Sequence, residues 1–252
     1  MELAIIKISG KSLEDFTTGE TGINLIKGLQ KKYSSVILIH GGGKIISEWS
    51  KRLGIQPNFY EGQRITCKES MEITAAVQGG LINSKLTAYL HTYRIKAIGL
   101  NGIDMDSFEA EYINDKLGFV GNPVAVSDSK WIKDLLGNNI VPVFSSICRD
   151  RNGNLMNVNA DLFAGAIAKL LKADSVYFLS DTEGVKLKGE FQNSLSIDDL
   201  HTGLTSGEIT DGMIPKINTC INLLTNGISN IWIGNELKHH EYNLKGTWIG
   251  NN

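Results

Sequence analysis

The 252-residue sequence lacks the features that mark several classes of protein. Its three cysteines, Cys67, Cys148 and Cys220, are odd in number and widely spaced, which argues against a disulfide framework or a zinc cluster. No apolar run approaches the roughly 18–20 residues that span a bilayer, and the beginning, MELAIIKISG, does not resemble a signal peptide. Lysine and arginine number 25 against 27 acidic residues, without a basic stripe for nucleic acid. We therefore expect a cytoplasmic protein that binds neither membranes nor nucleic acid.

Proline is scarce, with 4 residues, whereas the 27 glycines indicate many tight turns. Continuous apolar runs predict buried strands at Leu3–Ile8, Val36–His40, Ile95–Leu100, Ile140–Ser145, Ser175–Leu179 and Asn230–Gly234. Amphipathic stretches predict helices at Leu13–Tyr33, Lys44–Leu53, Lys68–Tyr93, Ser127–Leu136, Asp161–Leu171 and Met213–Thr225. This alternation predicts an α/β fold, a three-layer αβα sandwich around a mainly parallel open sheet. We place a boundary between two lobes, residues 1–171 and 172–252, after the Asp161 helix.

Some segments interrupt the alternation of strands and helices. Phe59–Thr66 and Ser107–Val124 have the composition of hairpins, and Arg149–Leu155 contains Asn-Gly between two apolar runs, a strong hairpin signal. Gly79 and Gly80 lie within the long Lys68–Tyr93 helix, where each costs up to about 1 kcal/mol relative to alanine. They indicate either a weak point in this helix or a flat patch against which another helix packs.

The clearest local signal is His40-Gly41-Gly42-Gly43-Lys44, which follows a predicted strand and begins a helix. Three glycines leave the backbone N–H groups unhindered, and the positive end of the helix dipole favours an anion there. A second small turn, Ser9-Gly10-Lys11, follows the first strand at what should be the same sheet edge. Three consecutive glycines are also compatible with an ordinary tight turn.

Three isolated cations could bind an anion at this edge. Lys7 lies within the apolar run AIIKIS, where a charge must reach solvent or a partner. Lys216 follows Pro215 near the start of a helix, where a cation opposes the helix dipole unless an anion binds there. Arg64 offers a planar fork for a carboxylate, although an exposed surface arginine would look the same in the sequence.

The segment Asn157-Val158-Asn159-Ala160-Asp161 precedes a helix. Capping explains one of its polar residues, with Asn159 as a candidate N-cap and Asp161 in the first turn. Capping does not explain Asn157. The loop from Ser180 to Val185 has the small polar composition of a ligand loop, although ordinary β–α loops share it.

Together these segments resemble the amino acid kinase family, and within it the enzymes that act on N-acylated glutamate. The resemblance covers nearly the whole chain, and the ordered set of motifs is highly specific. The matching motifs, in chain order, are IIKISGK, VILIHGGG, GQRIT, LGFVG, LMNVNAD, FLSDTEGV and ITDGMIPK.

The resemblance implies phosphoryl transfer from MgATP to the side-chain carboxylate of N-acetylglutamate or N-succinylglutamate, in arginine biosynthesis. It implies that Lys7 and Lys216 stabilise the migrating phosphoryl group, that Asp161 orients both lysines, and that Arg64 and Asn157 hold the acceptor. Gly42 and Gly43 would present N–H groups to the phosphoryl group and the acceptor carboxylate. The nucleotide would contact Gly10, Asp181, Thr182, Glu183, Gly184, Val185, Lys186, Glu208, Ile209 and Thr210. Residues 1–171 would then bind the acceptor and form the dimer, residues 172–252 would bind ATP, and Mg²⁺ would be carried by the nucleotide without a protein metal site.

The sequence departs from the family pattern at two motifs. Ser9 stands where the first turn usually has glycine, and Pro123 follows LGFVG-Asn where a longer polar run is common. Arginine-inhibited members of the family carry an additional N-terminal helix, for which the position of Lys7 leaves no room. We therefore expect a homodimer that arginine does not inhibit.

Two other functions compete with this interpretation. A kinase for a carrier-linked aminoadipate would need Arg64 less, because that substrate lacks a free α-carboxylate. A non-catalytic ligand-binding homologue would have no use for Lys7, Lys216 and Asp161 together.

Overall fold

The computed structural model describes residues 2–210, 212–235 and 245–250, so Asp211 of the ITDGMIPK motif lies outside the described residues. The strands are β1 (Leu3–Ile8), β2 (Ser35–His40), β3 (Phe59–Tyr60), β4 (Gln63–Arg64), β5 (Ala97–Asn101), β6 (Phe108–Tyr112), β7 (Val120–Ala125), β8 (Val141–Ser145), β9 (Ile147–Arg149), β10 (Leu155–Val158), β11 (Ser175–Leu179), β12 (Lys186–Leu187), β13 (Glu190–Phe191), β14 (Ser194–Leu195), β15 (Asn230–Gly234) and β16 (Thr247–Ile249). The α-helices are α1 (Leu13–Thr17), α2 (Thr21–Leu29), α3 (Gly43–Arg52), α4 (Lys68–Thr74), α5 (Asn83–Thr92), α6 (Lys130–Gly137), α7 (Ala160–Leu171), α8 (Ile197–Thr205) and α9 (Met213–Thr225).

The central sheet contains eight strands in the order β14-β16-β15-β11-β1-β2-β8-β5. All neighbouring strands are parallel except β15 and β16. This confirms the predicted α/β class with a mainly parallel sheet. Strands that precede residue 172 form one half of the sheet and strands that follow it form the other half, and β1 pairs with β11 at the junction. The division into two functional lobes stays a prediction.

The side chains of β1 alternate between two hydrophobic layers. Leu3 and Ile5 pack in the cluster that contains the apolar faces of α6, α7 and α9, whereas Ala4 and Ile6 pack in the cluster that contains α2, α3 and α5. Successive residues of a strand point to opposite faces of the sheet. Lys7 therefore shares the face of Leu3 and Ile5, on the side where α7 and α9 lie.

A second, smaller set of strands closes on itself in the order β10-β7-β6-β9. It contains the antiparallel pairs β6–β7 and β9–β10, and β3–β4 forms a separate hairpin. The three segments that interrupt the α/β alternation in the sequence are thus the three predicted hairpins. Among the residues that the structure describes, no helix is long and apolar enough to cross a bilayer.

Two predicted helices were wrong in detail. The stretch Leu13–Tyr33 forms two helices, α1 and α2, because Gly19 between them has a φ of +56°, a conformation that ends a right-handed helix. The stretch Lys68–Tyr93 is continuous but changes its hydrogen-bond pattern, with a π-helical segment over Ala75–Ile82 between α4 and α5.

Candidate active site

Two glycine turns meet at the carboxyl edge of the sheet, one after β1 and one after β2. A Cβ placed on Gly10 would lie only 2.9 Å from the amide nitrogen of Gly43, so the two turns pack backbone against backbone. Ser9 takes no part in this contact. Its hydroxyl pairs with that of Ser12 at 2.8 Å and accepts the Ser12 N–H at 3.1 Å, so it stabilises its own turn.

Beside these turns, one buried carboxylate binds two buried ammonium groups. Lys7 Nζ lies 2.7 Å from Asp161 Oδ1, and Lys216 Nζ lies 2.9 Å from the same oxygen and 3.0 Å from Oδ2. Lys216 Nζ also lies 5.1 Å from the centre of the Phe178 ring, a cation–π contact. The structure thus brings together the two lysines that the sequence separates by more than 200 positions.

Lys7, Asp161 and Lys216 form a triad, and local structure explains how each of them reaches the same point. Lys7 is on the α7–α9 face of β1, and its register neighbour on β11 is Phe178. Asn159 caps α7, because its side chain accepts the N–H groups of Asp161 and Leu162, as predicted. Asp161 is consequently fixed in the first turn of α7, and Lys216 is in the first turns of α9, which packs against α7.

The triad leaves a net positive charge in a buried place. Burial lowers the pKa of Lys7 to about 8, although Asp161 partly opposes this effect. Burial alone would raise the pKa of Asp161, but Lys216 and Lys7 outweigh it and hold that pKa below its ordinary range. Asp161 is therefore ionised at neutral pH, while the two cations exceed it by one charge. Such a site favours an additional anion.

A cavity of about 220 Å³ opens between the triad, the second glycine turn and the β3–β4 hairpin. Seven of the residues predicted from the sequence line it: Lys7, Gly10, Gly42, Gly43, Arg64, Asn157 and Asp161. Lys216 is paired with Asp161 and is not among the residues that line the cavity. Two cations, Lys7 and Arg64, and one carboxylate, that of Asp161, line the cavity.

Arg64 is buried and in contact with the second glycine turn. Its Nη2 donates to the Gly43 carbonyl at 2.9 Å and to Ser47 Oγ at 2.6 Å, and its guanidinium lies 4.9 Å from the centre of the Phe59 ring. Burial lowers the pKa of Arg64, which nevertheless stays charged. The alternative of an exposed surface arginine is therefore wrong.

Asn157 lies on β10 and also faces the cavity. Its amide donates to Thr66 Oγ1 at 3.2 Å, and Thr66 itself bridges to Gly118 between the predicted motifs GQRIT and LGFVG. Three of the motifs that the sequence separates therefore meet at one wall of the cavity.

The residues predicted to bind the nucleotide lie outside this cavity, with the exception of Gly10. Asp181 follows β11 and forms an ion pair with Lys11 of the first glycine turn, which lowers the pKa of Asp181. Glu208 accepts the N–H of Lys188 in the β12–β13 hairpin. Val185 and Ile209 are buried in the core, and their N–H groups donate to Thr247 Oγ1 at 2.8 Å and to the Gly203 carbonyl at 3.0 Å. The side chains of Thr182, Glu183, Lys186 and Thr210 are at least partly exposed, and Gly184 has a φ of +152°.

Sequence reasoning missed several groups at the cavity. Phe59, Gln78 and Ser146 line it, and His40 is fully buried directly before the three glycines. Gln78 gave no signal, because a polar residue is expected in the predicted amphipathic helix Lys68–Tyr93. His40 shows in the sequence only as the residue that precedes the turn.

A search of protein-family profiles matches residues 2–235 to one family, described as the amino acid kinase family. The chain belongs to the amino acid kinase family. Within the family, an acetylglutamate kinase from Campylobacter hominis is 42% identical over 202 residues, 79% of this chain and 71% of that protein. An acetylglutamate kinase from Geobacillus sp. strain WCH70 is 33% identical over 253 residues, 98% of this chain and 96% of that protein.

Solved structures share this fold. A carbamate kinase from Giardia superposes with a TM-score of 0.67 at 14% identity and covers 100% of this chain and 99% of that one. At this identity the likeness supports the fold alone. The family resemblance and the fold class stated from the sequence are thereby confirmed.

Proposed function

We propose that this chain is an acetylglutamate kinase, which transfers the γ-phosphoryl group of ATP to the γ-carboxylate of N-acetyl-L-glutamate in arginine biosynthesis. Relatives of that name match most of its length at 33–42% identity. The single observation that carries the proposal is the triad. Two buried ammonium groups share the Asp161 carboxylate beside glycine amides and a cavity that contains Arg64.

The chemistry requires little covalent help from the protein. A γ-carboxylate oxygen of the acceptor forms a bond to the γ-phosphorus while the bond from that phosphorus to the β,γ-bridging oxygen breaks. The products are an acyl phosphate and ADP, and no proton moves, so no general base is required. Catalysis then depends on bringing two anions together and on stabilising the charge in transit.

The triad suits that task electrostatically. Lys7 and Lys216 neutralise charge on the equatorial oxygens of the phosphoryl group, and Asp161 fixes the positions of both ammonium groups. A buried lysine without a partner would lose its proton more readily. Asp161 therefore positions both lysines and raises the pKa of Lys7 against the effect of its burial.

The acceptor has two ends that the cavity can distinguish. Arg64 binds the α-carboxylate and Asn157 the acylamino group, while Gly42 and Gly43 donate N–H groups to the γ-carboxylate and the phosphoryl group. A guanidinium suits a free α-carboxylate, and Arg64 is buried with its Nη2 bonded to the Gly43 carbonyl of the glycine turn. This favours a free N-acylglutamate over a carrier-linked aminoadipate. Retention of the whole triad favours a kinase over a non-catalytic homologue.

ATP approaches from the side of the first glycine turn. We assign to it Gly10, the loop from Asp181 to Lys186, and residues 208–210. Mg²⁺ carried by the phosphates needs few protein ligands, and Asp181, paired with Lys11, puts a carboxylate next to the first turn. When bound, the metal neutralises charge on the phosphate oxygens.

We also propose a homodimer in the cytoplasm. The outermost strand β5 ends the sheet and carries the exposed Ile98, and an uncovered edge strand is a site for pairing with another copy. The three cysteines are free thiols, which suits a reducing compartment. Light scattering of the purified protein tests the dimer, and a monomer would contradict it.

Coupled measurement of ADP release tests the function directly. We expect that ADP forms only when N-acetyl-L-glutamate is present. We also expect an acyl phosphate, trapped with hydroxylamine, in an amount equal to that of ADP. N-succinyl-L-glutamate and N-acetyl-L-aspartate, assayed in parallel, define the acyl group and the chain length. ATP turnover with none of these acceptors would refute the proposal.

A further inference from the structure

The π-helical segment Ala75–Ile82 adjoins a buried histidine that the mechanism above does not use. His40 ends β2 and is fully buried directly before Gly41. π-Helical turns are rare and are often found at functional sites. Here Gln78 of the segment and Asn83, the first residue of α5, bring two amide side chains onto one histidine.

The wider turn explains how both amides reach it. Side chains that share a face of an α-helix are three or four residues apart, whereas a π-helical turn closes a bond between residues five apart. Gln78 and Asn83 are five apart. Gln78 Nε2 donates to the His40 carbonyl at 3.3 Å, and Asn83 Nδ2 lies 3.2 Å from His40 Nε2.

These contacts determine which ring nitrogen of His40 carries the proton. Asn83 Nδ2 also donates to the Leu100 carbonyl at 3.0 Å and the Val143 carbonyl at 2.8 Å, which fixes the amide with its NH₂ group towards His40. An NH₂ group cannot accept a hydrogen bond, so a proton on His40 Nε2 would face a second donor, and Nε2 is therefore the unprotonated nitrogen. Burial lowers the pKa of His40 to about 4, so the ring is neutral near pH 7 and its single proton is on Nδ1.

The Nδ1 proton points to the glycine turn. Nδ1 lies 3.2 Å from the Gly41 carbonyl oxygen and donates to it. That carbonyl and the Gly42 N–H belong to the same peptide unit, which is planar and trans, so the two bonds point in opposite directions. Whatever holds the Gly41 oxygen therefore fixes the direction of the Gly42 N–H. Gly41 and Gly42 both line the cavity.

We propose that His40 is a positioning residue for phosphoryl transfer, which holds the Gly41 carbonyl through Nδ1–H and so aims the Gly42 amide at the phosphoryl group. The inference rests on the proposed kinase function. Gln78 of the π-helical segment and Asn83 at the start of α5 hold the histidine, and glycine leaves the turn without a side chain to restrain it. His40 supplies that restraint.

A matched pair of variants tests this role. His40→Asn keeps a donor at the position of Nδ1, whereas His40→Gln moves the amide to the position of Nε2 and fills similar space. We expect His40→Asn to keep at least about ten times the kcat of His40→Gln, with the KM for both substrates within about twofold of the wild type. Equal kcat values, or losses confined to KM, would overturn the proposal.

A measurement on the unmodified protein keeps the proposal testable if His40→Gln does not fold. In ¹⁵N-edited NMR spectra near pH 7, His40 should show a protonated Nδ1 and an unprotonated Nε2. A proton on Nε2 would overturn the proposal, because the ring could not then donate to Gly41. The tautomer is independent of turnover. A wild type that makes no acyl phosphate would refute the proposed function, whereas an Nε2 proton would refute only the role of His40.

Discussion

The Asp161→Asn variant tests whether one carboxylate holds both lysines. In the wild type, Asp161 accepts Lys7 and Lys216 within 3.0 Å, and all three side chains are buried. Asparagine has nearly the same shape and keeps one accepting oxygen, but it removes the negative charge. Two buried ammonium groups would then face each other without compensation.

The expected loss of stability is large. Removing one partner from a buried ion pair typically costs about 3–5 kcal/mol, because the remaining charge is left uncompensated. We expect a loss of that size in the free energy of unfolding of Asp161→Asn near pH 6. The loss should then depend on pH, because Asp161 is a cause that raises the pKa of Lys7.

The direction of the pH dependence follows from where Lys7 releases its proton. Unfolded chains hold it up to about pH 10.5, whereas the folded wild type releases it near pH 8. In Asp161→Asn the pKa of Lys7 in the folded protein is lower still. Between that pKa and pH 8, the folded variant has lost the Lys7 proton that its unfolded chain still holds, whereas the wild type holds this proton in both states. Its stability therefore rises with pH relative to the wild type, by at most about 1.4 kcal/mol per pH unit. The difference between the two proteins should shrink up to about pH 8 and then level off.

Urea unfolding at a series of pH values measures this difference. Asp174→Asn is a suitable control, because Asp174 accepts the Leu3 N–H at 2.7 Å at the start of the same strand and is exposed. Asparagine can still accept that bond, so we expect a change within about 1 kcal/mol that is independent of pH. The reasoning would be refuted if Asp161→Asn resembled this control in both size and pH dependence.

Three further predictions concern the cavity and the glycine turns. Arg64→Lys removes the planar fork, so the KM for N-acetylglutamate should rise about tenfold or more while kcat changes little; a loss in kcat alone in steady-state assays would contradict this. Gly10→Ala would put a Cβ 2.9 Å from Gly43 N, so kcat should fall. Gly28→Ala is the control, because its Cβ meets nothing within 4 Å and kcat should stay unchanged. Equal kcat values for the two variants would count against contact between the turns. The kcat/KM of the wild type should fall above about pH 8, because Lys7 then loses its charge; a profile that is flat to pH 10 would show that this charge is not needed.

Much of the fold could be predicted because the apolar runs of the central strands are continuous. Leu3–Ile8, Ser175–Leu179 and Asn230–Gly234 match the observed strands in full, since both faces of these strands are covered. The short strands β12 to β14 and β16 have two or three residues each and no apolar run that could reveal them. Helix α8 was also missed, although Ser196 and Asp199 form a capping box that the sequence displays.

The π-helical segment could not be predicted from periodicity. Its apolar composition is compatible with an ordinary helix, and only the fold shows that Gln78 and Asn83 share one face. The structure explains why residue 79 is glycine, because a Cβ there would lie 2.7 Å from Asn101 Oδ1. Of the two alternatives stated for this glycine, the flat patch required a helix as its neighbour, whereas the nearest atoms of the chain belong to Asn101 on β5.

The candidate site was predicted mainly through the resemblance to a family, whereas its geometry required the fold. In the sequence, Lys7 could equally have been an ammonium group that reaches solvent, and Arg64 an exposed arginine. Because side chains alternate between the two faces of the sheet along β1, Lys7 lies on the face of α7 and α9. The β3–β4 hairpin buries Arg64 against Gly43. Neither placement can be read from local sequence, because each depends on elements distant in the chain.

The central claim is that the ammonium groups of Lys7 and Lys216 stabilise the same phosphoryl group in transit. The most direct test is the steady-state kinetics of Lys7→Ala and Lys216→Ala with ATP and N-acetyl-L-glutamate. We predict that each variant loses about 100-fold or more in kcat while both KM values change by only a few fold, as expected for groups that act in the transition state. A rise in KM with kcat retained in either variant would contradict the account.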